Sequence, residues 1–109
     1  MPPQMTTTTM KVLARLLDDP TGEWYGFDLI EQTGIKSGTL YPILIRLEKA
    51  GWLQSHLEDV DPHDVGRPPR RLYSLTGEGA RLARVELESH LQALAPMSRP
   101  VISPEGRLA

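Results

Sequence analysis

Five arginines fall between positions 67 and 84 (Arg67, Arg70, Arg71, Arg81 and Arg84), with Glu78 the one negative charge among them. A guanidinium is a planar donor fork that matches the oxygens of a phosphate or carboxylate, so this stretch is suited to an anion. The run Gly66-Arg67-Pro68-Pro69-Arg70 is stiff and extended because of its prolines, a form that lays arginines along a groove or a backbone. A second set stands upstream, where Lys36, Ser37, Thr39, Tyr41 and Arg46 interleave hydroxyls with positive charge. Hydroxyls of this kind bond base edges, and the charges meet phosphate or guanine. Each set also has a plain reading. The first is a solubilising loop, which Asp59, Asp61 and Asp64 in the same loop favour, and the second is a solvated helix face.

The composition removes other chemistries. Twelve Lys and Arg against fourteen Asp and Glu give a net charge of −2, so no global basic excess is present. The balance is uneven, however: Asp18 to Glu31 holds five acids and no base, and local potential steers a polyanion more than the sum does. With no cysteine there is no disulfide, thiolate nucleophile or Cys-based zinc site. His56, His63 and His90 lack i,i+4 pairing. Asp59 to Asp64 resembles part of a calcium loop, yet the required glycine and glutamate positions hold Asp64 and Arg70. Gly77-Glu78-Gly79 lacks the third glycine of a dinucleotide fingerprint, that position being Leu82. No catalytic centre, metal site or cofactor is expected. The longest apolar run, Leu40 to Ile45, is too short to span a membrane, and MPPQMTTTTMK lacks the features of a secretory signal.

These residues need elements to hold them. In 109 residues there is room for one domain of ordinary size, and a partner chain is expected to complete its modest core. Residues 1–8 read as a flexible arm. Met10, Leu13 and Leu17, widened by Val12 and Leu16, predict a first helix ended by Asp18-Asp19-Pro20. Gly26 to Thr33 predicts a short second helix, followed by a tight turn. Ser37 or Thr39 is placed to cap a third, with Leu40, Ile43, Leu44 and Leu47 on its inner face, Pro42 in its first turn and Gly51 at its end. Residues 52–58 and 70–75 read as two strands around an eleven-residue polar loop. Thr76 is placed to cap a last helix from Gly77 to about Leu94, whose Ala80, Ala83, Leu87, Leu91 and Leu94 form a near-heptad seam. Prolines at 96, 100 and 104 predict a disordered tail over residues 96–109.

Helix, helix, tight turn, helix and hairpin describe a winged helix-turn-helix, an α+β fold that is mainly α, with a two-stranded wing and a C-terminal dimerisation helix. The expected division is a DNA-binding domain over residues 9–76 and a dimerisation helix over 77–95. The alternative for the seam is packing on the first helix of the same chain. Trp24 and Trp52, with Tyr25 and Phe27 nearby, are candidates for an effector pocket between subunits, or else for core.

The stretches from Gly38-Thr39-Leu40-Tyr41-Pro42 to Gly51-Trp52-Leu53, and from Gly66-Arg67-Pro68 to Thr76-Gly77-Glu78-Gly79, resemble the PadR family of bacterial transcriptional regulators. Tyr25-Gly26-Phe27-Asp28-Leu29 is similar to the family's HGYEL stretch, and the resemblance covers roughly residues 10–94. It implies a cytoplasmic, nucleoid-associated homodimeric repressor of the short type, binding a pseudo-palindromic DNA operator. Ser37, Thr39, Tyr41 and Arg46, with Lys36, become recognition-helix candidates, and Arg67, Arg70 and Arg71 wing candidates. A small-molecule effector is a further possible partner. The chain departs from the family's pattern at Ile45, where a basic residue is common, in the short link before the third helix, and in the acidic wing. The rival expectation is a winged-helix module that binds a protein, supported by Ile45 and the aspartates.

Overall fold

The structure, a computed structural model, describes residues 3–98, with side chains as far as Ala93. Helix α1 runs from Thr7 to Leu17, and Thr6 caps it by accepting a hydrogen bond from the Thr9 amide at 3.1 Å. The threonine run is therefore cap and first turn, which corrects the expected loose arm over residues 1–8. The cause is local: a threonine hydroxyl satisfies an amide that the first turn leaves without a partner. Met10, Val12, Leu13 and Leu16 form its buried stripe, and Arg15 pairs with Asp18 at its end.

Strand β1, Trp24–Tyr25, was absent from the expectation. It pairs antiparallel with the wing, Trp24 opposite Tyr73 and Tyr25 opposite Leu72. The sheet is thus three-stranded, in the order β1-β3-β2, where a two-stranded hairpin was expected. Two residues carry no readable period, but two aromatic residues suit a pleated, half-buried surface. Helix α2, Gly26–Thr33, follows at once and ends at Gly34. The buried Ile35 anchors the turn, its amide donating to the Thr33 hydroxyl at 3.2 Å.

Helix α3 spans Ser37–Lys49. Lys36 holds the cap position, and no side chain caps the helix, so neither Ser37 nor Thr39 plays the expected part. Pro42 is the sixth helical residue, one turn deeper than expected. It lacks the amide that would bond the Gly38 carbonyl. Leu40, Ile43, Leu44 and Leu47 are buried as the periodicity requires. Strands β2, Leu53–Leu57, and β3, Arg71–Leu75, form the wing in antiparallel register, Ser55 opposite Tyr73. The loop between them is not wholly irregular. A single helical turn, α4 (Pro62–Val65), is capped by Asp61, which accepts from the His63 amide at 2.9 Å.

Helix α5 runs from Gly77 to Ser98, starting where the Thr76 hydroxyl accepts from the Gly79 amide at 2.8 Å. It passes through Pro96, beyond the expected end near Leu94, because a missing amide so close to the terminus removes one bond only. The rest of the expected tail, 99–109, lies outside the described residues. The start of α5 lies tightly on the turn between α3 and β2. A Cβ on Gly79 would stand 1.9 Å from the Trp52 carbonyl oxygen, so only glycine permits this approach.

Ala80 and Ala83 are buried in the same core as Leu13, Leu16 and Leu75. This corrects both the boundary drawn at residue 76 and the seam. The first turns of α5 belong to the winged-helix core and pack within their own chain. Leu87 is half-buried against that core, and Leu91 is 66% exposed. The Leu94 side chain lies outside the described set. Trp52 is likewise core and Trp24 packs against it, so both tryptophans serve the fold, the second of the two readings offered for them.

Candidate nucleic-acid interface

Most of the residues singled out from the sequence are exposed. Ser37, Thr39, Tyr41, Pro42, Ile45, Arg46 and Lys49 are all exposed on α3, with Lys36 exposed at its start. Among the described residues, Lys36, Arg46 and Lys49 have no carboxylate within ion-pairing distance. Ile45 is 50% exposed in the middle of this polar face. Tyr41 is only partly free. A Cβ on Gly26 would lie 2.5 Å from the Tyr41 hydroxyl, so the ring rests on the start of α2 because residue 26 is glycine.

The wing differs from expectation at its centre. Glu58, whose side chain is 8% exposed, gathers four donors at the point where the hairpin opens into its loop. The Tyr25 hydroxyl donates to Oε2 at 2.8 Å and the Arg70 amide to Oε1 at 2.8 Å. Both terminal nitrogens of Arg67 donate to the same carboxylate. The Glu58 amide donates to the Arg70 carbonyl at 2.8 Å, closing the ladder beyond Leu57 and Arg71. Arg67 above all, then the Arg70 amide and the Tyr25 hydroxyl, hold the Glu58 carboxyl down at about 2, well below the usual carboxylate range. The same hydrogen bond raises the Tyr25 phenol.

Arg67, expected on the DNA, is therefore a strut inside the wing, its charge already met by Glu58. Arg70 and Arg71 are exposed and have no carboxylate partner within ion-pairing distance among the described residues. The Arg70 guanidinium lies over the Tyr25 ring, 5.3 Å from its centre, a cation–π contact that aims it without neutralising it. Arg71 donates to the Ser55 hydroxyl at 3.1 Å, and Ser55 in turn donates to Glu48. Of the wing aspartates, Asp61 is occupied in capping α4. Sequence reasoning missed Glu58 and Tyr25. The signal available was a carboxylate at a strand end directly across a hairpin from two basic residues.

Between wing and α3 lies a cleft of about 240 Å³, lined by Tyr25, Gly26, Phe27, Tyr41, Arg70, Arg71 and Tyr73. It brings one recognition-helix candidate and two wing candidates to one place. No group of three or more metal-ligating side chains occurs among the described residues, and no helix among them is long and apolar enough to cross a membrane.

Residues 13–85 match the family model of the transcriptional regulator PadR-like family. A PadR-like transcription factor from Bacteroides fragilis is 28% identical, with a TM-score of 0.64 over 82% of this chain and 84% of that one. The PcaV transcriptional regulator of Streptomyces coelicolor, solved with its natural ligand, is 25% identical, with a TM-score of 0.62. There the match covers 87% of this chain and 64% of PcaV, so this chain spans less than two thirds of that regulator. BpsR of Bordetella bronchiseptica, whose DNA binding is regulated by 6-hydroxynicotinic acid, shares the fold at 20% identity with a TM-score of 0.68, over 94% of this chain and 67% of that one. No curated protein sequence is significantly similar.

Proposed function

The chain belongs to the PadR-like family of transcriptional regulators, and from that membership we propose that it is a repressor acting as a homodimer on a pseudo-palindromic operator. Helix α3 enters the major groove, where Ser37, Thr39 and Tyr41 meet base edges and Lys36 and Arg46 meet phosphate or guanine. The wing lays Arg70 and Arg71 on the backbone or the neighbouring minor groove. The observation that carries this reading is the exposed outer face of α3 and the cleft that joins it to Arg70 and Arg71, with exposed cations that lack carboxylate partners among the described residues although the whole chain is acidic. The reading places the protein in the cytoplasm with the nucleoid.

Dimerisation is assigned to the far half of α5, where Leu91 stands exposed beyond the core. A small-molecule effector is supported by the relatives solved or described with ligands, PcaV and BpsR.

Selection of bound duplexes from a random DNA pool by the purified protein tests the reading. The expected result is an inverted repeat with half-sites about 34–36 Å apart, one helical turn, or a multiple of it. Recovery without a motif would remove sequence-specific repression. Failure to retain any duplex at low salt would shift the function to protein binding, the reading that the exposed Ile45 favours.

A further inference from the structure

We infer that the cleft between the wing and α3 seats the single sugar-phosphate strand that divides the two DNA grooves, its phosphate between Arg70 and Arg71 and its deoxyribose against Phe27. The inference rests on the proposed DNA-binding function and assigns a site within it. A protein that puts one helix in a major groove and a wing against the adjacent minor groove must straddle the one strand between them. In this chain the space between those two elements is an open cleft.

The lining suits the two chemistries of that strand. A phosphodiester is an anion with two unesterified oxygens, and a guanidinium presents paired donors to such a group. Arg70 and Arg71 bring their charges to the cleft without carboxylate partners among the described residues, whereas Arg67, three and four residues before them, is neutralised by Glu58. Tyr41 borders the cleft on the α3 side, between the strand proposed here and the bases that α3 reads. Deoxyribose is the apolar part of the backbone. Phe27, at the rim, is 62% exposed, although it is the only phenylalanine in the chain and the core does not use it. Gly26, also in the lining, lets the Tyr41 ring pack where a Cβ would stand. Phe27 has no base-reading group, so its contact is blind to sequence.

Single methylphosphonate substitutions across a selected duplex, with binding measured for wild type, Arg70→Ala, Arg71→Ala and Phe27→Ala, test this. One phosphate per half-site, on the strand between the two grooves, should weaken wild-type binding about tenfold when neutralised, and have much less effect in Arg71→Ala or Arg70→Ala. Phe27→Ala should weaken all duplexes by a similar factor and leave the salt dependence unchanged, while Phe27→Leu retains most of the affinity. Circular dichroism confirms that these surface variants stay folded. If the duplex binds but the sensitive phosphates are the same in wild type and both arginine variants, the seat is wrong and DNA binding stands. If no duplex binds, the functional reading fails first. Saturable binding of phenyl phosphate that depends on Arg71, with operator binding indifferent to Arg70→Ala and Arg71→Ala, would overturn the inference and reassign the cleft to a small aryl phosphate.

Discussion

Arg67 and Glu58 lie side by side at the neck of the wing, the two terminal guanidinium nitrogens donating to the carboxylate at 2.5 and 3.3 Å. With the Tyr25 hydroxyl and the Arg70 amide on the same carboxylate, one acidic side chain ties β1, the end of β2 and both ends of the proline run together. A negative charge in a protein that approaches DNA is ordinarily a hindrance. Here it orders the segment that carries the exposed arginines.

Glu58→Gln is expected to weaken operator binding several-fold even though it makes each subunit more positive by one charge. A purely electrostatic surface would respond in the opposite direction. Arg67→Ala should act alike, lowering affinity through a loosened wing while leaving the salt dependence unchanged, since Arg67 neutralises no phosphate. Fluorescence anisotropy across a salt series separates the two effects, and limited proteolysis should cut residues 59–69 faster in both variants.

The clasp also sets a pH window. The Glu58 carboxyl is held at about 2 in the folded protein, against an ordinary value of 4.5. A depressed carboxylate stabilises the fold above its unfolded value and loses that contribution as pH falls toward the folded one. Wild-type stability should therefore fall more steeply than that of Glu58→Gln between about pH 4.5 and pH 2, and the two should run parallel above it. Urea midpoints at several acidic pH values give the comparison.

Lys36, Arg46, Arg70 and Arg71, the four charged side chains proposed to contact DNA in each subunit, have no carboxylate within ion-pairing distance among the described residues. If all eight in a dimer meet phosphates, log K against log salt should have a slope near about −7. Arg71→Ala should reduce its magnitude by about 2 per dimer. A wild-type slope shallower than about −3 contradicts this footprint.

Gly26 and Tyr41 form a matched pair. Gly26→Ala should destabilise the fold by about 1–3 kcal/mol, because the added methyl meets the tyrosine ring. In a Tyr41→Ala background the same change should cost little. A double-mutant cycle by urea denaturation reads the coupling.

The two halves of α5 should respond differently to substitution. Ala83→Leu overfills a site with no exposure and should lower stability by about 1–3 kcal/mol. Leu91→Asp, at an exposed position, should leave the thermal transition of the subunit nearly unchanged and shift sedimentation equilibrium toward monomer. A variant that still sediments as a dimer would move the interface elsewhere.

The sequence carried α1, α2, α3, α5 and the wing because each repeats a period long enough to read. Leu40, Ile43, Leu44 and Leu47 are buried where a 3.6-residue repeat puts them, and the outer face of α3 follows by subtraction. Trp24–Tyr25 is too short for any period, and its partner strand lies almost fifty residues away in the chain, so β1 was invisible. The Glu58 clasp was hidden for a related reason. It joins β1 to the wing, and without β1 there was no reason to bring Tyr25 near residue 58. Ala80 and Ala83 misled for a different cause. A heptad spacing reports one apolar face without saying whether the facing surface is in the same chain or another.

The contact of Gly79 with the Trp52 carbonyl has a mechanical meaning. It welds the root of α5 to the turn that joins α3 to β2, with the Thr76 hydroxyl bonding the Gly51 carbonyl at 2.7 Å as a second fastening. From that root the 22 residues of α5 extend about 33 Å, and a tilt of about 10° at the base swings the far end by roughly 6 Å. In a dimer joined through that far end, the joint becomes a gauge. It sets the distance between two reading heads, and so decides which spacing of half-sites both can grip at once.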